Sequence, residues 1–114
     1  MPNNGSRISK ITDTKTFSEK ILHVEGLQIV RFCADWSGPC HIMAPVYEEM
    51  SILYQTSVSF YRIDIDESPK LKKEFGIIEL PTILFYKNGE VVEHIVGLIS
   101  KELFIQKMNH FILP

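Results

Sequence analysis

The chain reads as an α/β domain, a central mixed β-sheet flanked by helices on both faces, with the element order βαβαβαββα. Three observations predict it. Up to Gly76, short runs rich in β-branched or aromatic residues alternate with stretches of helical periodicity, as strand-crossover-strand units require. Asn88 and Gly89 then separate two strand-like runs by a pair suited to the positive backbone angles of a tight antiparallel hairpin. An amphipathic segment closes the chain.

Taken in order, a short strand is expected around Arg7 to Ile11. Thr16 and Glu19 have the spacing of a capping box, which starts a helix running to about His23. Leu27 to Ala34, mostly apolar and placed after Gly26, has the pattern of a central strand covered on both faces. From Pro39 to Tyr54, Cys40, Met43, Ala44, Tyr47, Met50 and Tyr54 recur as one helical stripe. Pro45 inside it removes an amide and should kink the helix. Val58 to Ile65 returns as a strand, and Ser68 and Pro69 read as the cap and first residue of a helix that ends before Gly76. The hairpin pairs Thr82 to Tyr86 with Val91 to Val96. Ser100 caps a last helix whose buried face is Leu103, Phe104, Met108, Phe111 and Ile112.

With 114 residues the chain fits one domain, residues 1–114, in which 1–6 are expected as a flexible tail. A formal net charge of −2 supplies no basic field for nucleic acid or an anionic membrane surface. No apolar run approaches the roughly 20 residues that span a bilayer. Met1 to Arg7 is polar and unlike a secretory signal, so a reducing cytoplasm is the expected compartment. Two cysteines make neither a disulfide framework nor a familiar zinc pattern, and no metal or other cofactor is expected. Asp64, Asp66 and Glu67 form an acidic run that reads as a solvated loop.

From about Ser6 onward the chain resembles the thioredoxin family. The resemblance rests on Phe32, Cys33, Ala34, Asp35, Trp36, Ser37, Gly38, Pro39, Cys40, followed by Met43, Ala44 and Pro45; on Leu80, Pro81, Thr82; and on Lys87, Asn88, Gly89 with Gly97. It implies the thioredoxin fold, a cis bond before Pro81, and a groove in which Trp36, Gly38, Pro39, Leu80, Pro81 and Gly97 bind an extended partner. The implied partners are proteins or peptides with cysteines, together with a thioredoxin-reductase-like protein. In the family, a leading cysteine at a helix start attacks a disulfide as thiolate, and a second one, a turn further on, resolves the mixed disulfide.

Three residues depart from that pattern. Ser37 occupies the leading-cysteine position, Arg31 stands where a buried carboxylate is usual, and Cys33 stands where a tryptophan or other large residue is common. Disulfide reduction by the turn pair is therefore expected to be weak or absent, with binding through the Trp36 and Pro81 groove retained. Thiol chemistry through Cys40 alone or through a Cys33–Cys40 pair is the alternative, and a cysteine-to-serine variant of an ordinary thioredoxin is another. The period of a strand puts Arg31 and Cys33 on one face, towards the helix that starts near Cys40, so both are candidate modulators of that thiol. The expected arrangement is two separate core-facing thiols. Arg31 is expected to run its stem to the sheet edge and keep its head in water, because an unpaired buried cation is costly. Of Arg31 and Arg62, at least one should face solvent, as should His41.

Overall fold

The computed structural model describes residues 7–112; the expected tail lies outside them. Its strands are β1 (Ile8–Lys10), β2 (Leu27–Cys33), β3 (Val58–Asp64), β4 (Thr82–Lys87) and β5 (Glu90–Val96). Its helices are α1 (Thr14–Phe17, continued as π-helix over Ser18–Leu22), α2 (Gly38–Leu53), α3 (Pro69–Phe75) and α4 (Lys101–Ile112). The strands form one five-stranded sheet in the order β1-β3-β2-β4-β5. Strands β1, β3 and β2 are parallel, and β4 runs antiparallel to both β2 and β5. The α/β fold expected from the sequence is the fold observed.

Because every side of β2 is covered, its alternating side chains feed two cores. Val30 and Phe32 join Phe17, Ile21 and Leu71 beneath α1 and α3. Leu27 and Ile29 join Met43, Tyr47, Met50, Phe104 and Met108 beneath α2 and α4. The catalogue of apolar stripes in the sequence thus maps onto two faces of one sheet. Arg31 shares the α2 face, which fixes what it meets.

Two helix starts differ from the sequence reading. Asp13, not Thr16, caps α1: its carboxylate accepts the Thr16 amide at 2.7 Å, so Thr16 lies inside the helix and no Thr16–Glu19 box forms. Both residues are cap formers three apart, and the charged acceptor prevails. Ser68 stands at the start of α3 without a side-chain cap; its hydroxyl donates instead to the Thr12 carbonyl at 3.2 Å, tying α3 to the loop after β1. Other local signals act as read. Gly76 ends α3 with φ 61°, Asn88 and Gly89 turn the hairpin with φ 52° and 86°, and Ser100 accepts the Leu103 amide at 3.2 Å.

Candidate functional site

The site is built where β2 ends and α2 begins. The chain leaves the sheet at Cys33, turns through Ala34, Asp35 and Trp36, and enters α2 with Ser37 as N-cap. Ser37 has extended backbone angles (φ −89°, ψ 114°), and its hydroxyl accepts the Cys40 amide at 3.3 Å. Pro39 falls in the first turn, where a missing amide is harmless. The serine is buried, so its hydroxyl does the work of a cap. A thiol is not available at that position.

Cys33 and Cys40 are joined by a disulfide, with Cα atoms 5.8 Å apart and a sequence separation of seven. This corrects the expectation of two separate thiols. The physical reason lies in the turn: Cys33 is the last residue of β2 on the α2 face, and the turn folds the first turn of α2 back over it, bringing the two Cβ atoms within bonding reach. Cys40 is 3% exposed, whereas Cys33 is half-buried. Of the two bridged residues, Cys33 is the more exposed.

Arg31 also departs from expectation. It is only 8% exposed, with Nη1 donating to the Cys40 carbonyl at 3.4 Å and its guanidinium carbon 5.0 Å from the centre of the Tyr47 ring. The head stays inside because Tyr47 offers a π face and α2 offers a carbonyl, which together offset part of its lost hydration. The offset is incomplete: Nε has no partner, and no carboxylate pairs with Arg31 among the described residues. Burial pushes the guanidinium below the usual arginine range; Arg62 reinforces this and Tyr47 and Glu48 oppose it. Arg62, opposite Arg31 in the β2–β3 register, is exposed, in keeping with one of the pair facing water.

Beside the disulfide lies a cleft of ≈ 90 Å³ at the ends of β2 and β3, lined among others by Arg31, Cys33, Cys40, Arg62 and Asp64. On the other side of β2, Leu80–Pro81 is cis and leads into β4. Thr82 pairs with Phe32, which brings Pro81 alongside Cys33 in the continuing register. The Pro81 carbonyl accepts the Gly97 amide at 2.8 Å, and Gly97 takes a φ of 85°, so the hairpin end is locked to the proline loop. Trp36 is 70% exposed, and its indole N–H donates to the Asp66 carboxylate at 2.9 Å. His41 is exposed, with Nε2 2.6 Å from the Asp35 carbonyl. Gly38 and Pro39 are exposed beside it, and Leu80 is half-buried.

Two partners in the site had no role in the sequence reading. Tyr47 counted there only as one more residue of an apolar stripe, yet its ring holds Arg31 and its hydroxyl lies 2.7 Å from the Tyr61 carbonyl and 3.0 Å from that of Ile29. Asp66 belonged to the acidic run, which the structure resolves into separate tasks. Asp64 accepts the Asp66 and Glu67 amides, Asp66 holds Trp36, and Glu67 pairs with Lys10. Among the described residues no group of three or more histidine, cysteine or acidic side chains could hold a metal ion. No helix among them is long and apolar enough to cross a membrane.

Comparison with known proteins agrees with this fold. The thioredoxin family model matches residues 8–110. A thioredoxin of Listeria monocytogenes is 37% identical over 105 residues, which is 92% of this chain and 99% of that protein. The chloroplastic M-type thioredoxin of Pisum sativum is 31% identical over 103 residues, 90% of this chain, and the match spans 60% of the plant protein. The crystal structure of a Malassezia sympodialis thioredoxin superposes with a TM-score of 0.83 at 27% identity, covering 94% of this chain and 92% of that one.

Proposed function

The chain belongs to the thioredoxin family, and from that premise we propose that it is a thiol-disulfide exchange protein whose working couple is Cys33 with Cys40. The observation that carries this reading is the disulfide itself, which joins a half-buried residue to a buried one across the start of α2. Exchange begun at the Ser37 position is closed, because a hydroxyl forms no mixed disulfide. In the reduced protein, the Cys33 thiolate attacks a partner's disulfide and displaces one of its sulfurs as thiolate. Cys40 then attacks Cys33 Sγ of the mixed disulfide, releasing the partner's second thiolate and closing Cys33–Cys40. The partner is a protein or peptide with cysteines, held in extended form by exposed Trp36, the Gly38 and Pro39 turn, and the Leu80, Pro81 and Gly97 loop. A reducing compartment such as the cytoplasm, and reduction by a thioredoxin-reductase-like protein or by a thiol pool, suit such a couple. Residues 1–114 act as one domain in this reading.

The test is alkylation followed by insulin reduction. Oxidised protein should resist iodoacetamide and, after reduction, take up two equivalents, on Cys33 and Cys40. Insulin reduction with dithiothreitol as reductant should be slow but measurable, and lost in both Cys33→Ser and Cys40→Ser. Activity that survives both substitutions would sink the assignment.

A further inference from the structure

The cleft at the ends of β2 and β3 is the second route to the disulfide, and its chemistry differs from that of the proline groove. Both cysteines line it, and neither Trp36 nor Pro81 does. At ≈ 90 Å³ it is far below the roughly 300 Å³ of an ordinary ligand pocket, so it suits a small molecule of a few heavy atoms. Arg31 and Arg62 line its wall, and no carboxylate pairs with either among the described residues. The other charged or titratable groups along it are His41, Asp35 and Asp64. Asp35 and Arg62 are both exposed, so these two oppose each other at the mouth, and the balance inside the cleft rests on Arg31 against Asp64. His41 is engaged with the Asp35 carbonyl, Asp35 is exposed to water, and Asp64 accepts two backbone amides. Arg31, by contrast, is buried with an unsatisfied Nε, so its charge is the least screened of the set.

Resting on the redox reading above, we infer that the Cys33–Cys40 couple is re-reduced through this cleft by small anionic thiols, with Arg62 drawing them in and Arg31 receiving the charge that the reaction leaves on Cys40. A small thiolate attacks Cys33 Sγ, the Cys33–Cys40 bond breaks, and its electron pair departs on Cys40 Sγ as thiolate. A mixed disulfide now joins Cys33 to the small thiol. A second small thiolate attacks the non-protein sulfur, releases the symmetric small disulfide, and leaves Cys33 as thiolate. Of the two protons from the small thiols, one ends on Cys33 and the other goes to water while Cys40 stays a thiolate, so two thiols are oxidised and one protein disulfide is reduced. The new negative charge appears on a residue that lines the same cleft as Arg31 and whose carbonyl Arg31 Nη1 already holds. It supplies the counter-ion that the buried guanidinium lacks.

The experiment compares three thiols of similar size against the oxidised full-length protein: anionic 2-mercaptoethanesulfonate, neutral 2-mercaptoethanol and cationic 2-aminoethanethiol. Disulfide opening is followed by quenched alkylation and mass, and each rate is divided by the thiolate concentration present. The anionic reagent should open the disulfide about tenfold faster than the cationic one, as charge-lined clefts do for matching ions. The neutral thiol should fall between them. High salt and Arg62→Gln, a change at an exposed residue, should each shrink that spread. Equal or reversed rates, or an unchanged spread in Arg62→Gln, would overturn the inference and leave the couple itself in place. Alkylation of both cysteines before any thiol is added would overturn the redox reading, and this inference with it.

Discussion

A single side chain, Tyr47, supplies the ring face on which the buried Arg31 guanidinium rests. It is fully buried, its hydroxyl reaches two backbone carbonyls, and its ring face carries the Arg31 guanidinium. Burial pushes its hydroxyl far above the usual tyrosine range although Arg31 favours the anion, so it stays a neutral donor and gives Arg31 a π face rather than a counter-charge. Tyr86, 4% exposed beneath α1, is pushed up to about 12 by burial and, to a lesser degree, by Glu74. Its folded value lies above its unfolded one, so the neutral form favours folding. That contribution is whole below the unfolded value of about 10 and is lost as pH rises towards 12. Urea unfolding followed from pH 8 to pH 12 should show stability falling across the upper half of that range. Tyr86→Phe should take away part of the fall, the remainder belonging to Tyr47, while changing stability little at pH 8, since the Tyr86 hydroxyl has no hydrogen-bond partner among the described residues. An equally steep fall in the phenylalanine variant would place the alkaline sensitivity elsewhere, with Tyr47 next in line.

At the scale of elements, the start of α2 combines a structural task with a chemical one. Ser37 leaves the helix capped but leaves the turn without a nucleophile. Replacing it by alanine removes the acceptor for the Cys40 amide at 3.3 Å and should cost about 1 kcal/mol of stability, whereas glycine should cost only a few tenths. Urea midpoints of the two variants check this, and equal losses would show that burial of the side chain matters more than the cap. Most element boundaries were legible because each carries its own local chemistry: Pro69 and Gly76 around α3, Asn88 and Gly89 in the hairpin, Ser100 before α4. The start of α1 was not, since Asp13 and Thr16 are both plausible caps and only the folded backbone shows which accepts an amide. The π-helical continuation of α1 carries no comparable sequence mark.

For the whole molecule, the legible part of the site was the part written in consecutive residues, Trp36 to Cys40 and Leu80 to Thr82, while the rest required two elements to meet. Strand periodicity placed Arg31 and Cys33 on the α2 face, but only the packed structure sets their Cα and ring distances to Cys40 and Tyr47. Depth is a tertiary quantity, which is why Arg31 reads as an edge residue in sequence and lies buried in the fold. The disulfide that follows from this packing closes a short loop between β2 and α2, whose cores are filled by apolar side chains on both faces of the sheet. A loop of that length restricts the unfolded chain by about 2.5 kcal/mol in the chain-entropy account. The two cores should hold the fold without it. Reduced protein should therefore keep its native circular dichroism, and its urea midpoint should fall by the equivalent of about 2 kcal/mol, with a slope equal to or slightly steeper than that of the oxidised protein because the unfolded chain is freer. Cys33→Ser should start at the lower midpoint and be indifferent to reductant. If oxidised and reduced protein unfold at the same midpoint, the bond is either open in solution or offset by native strain, and a free-thiol count on the oxidised sample separates the two.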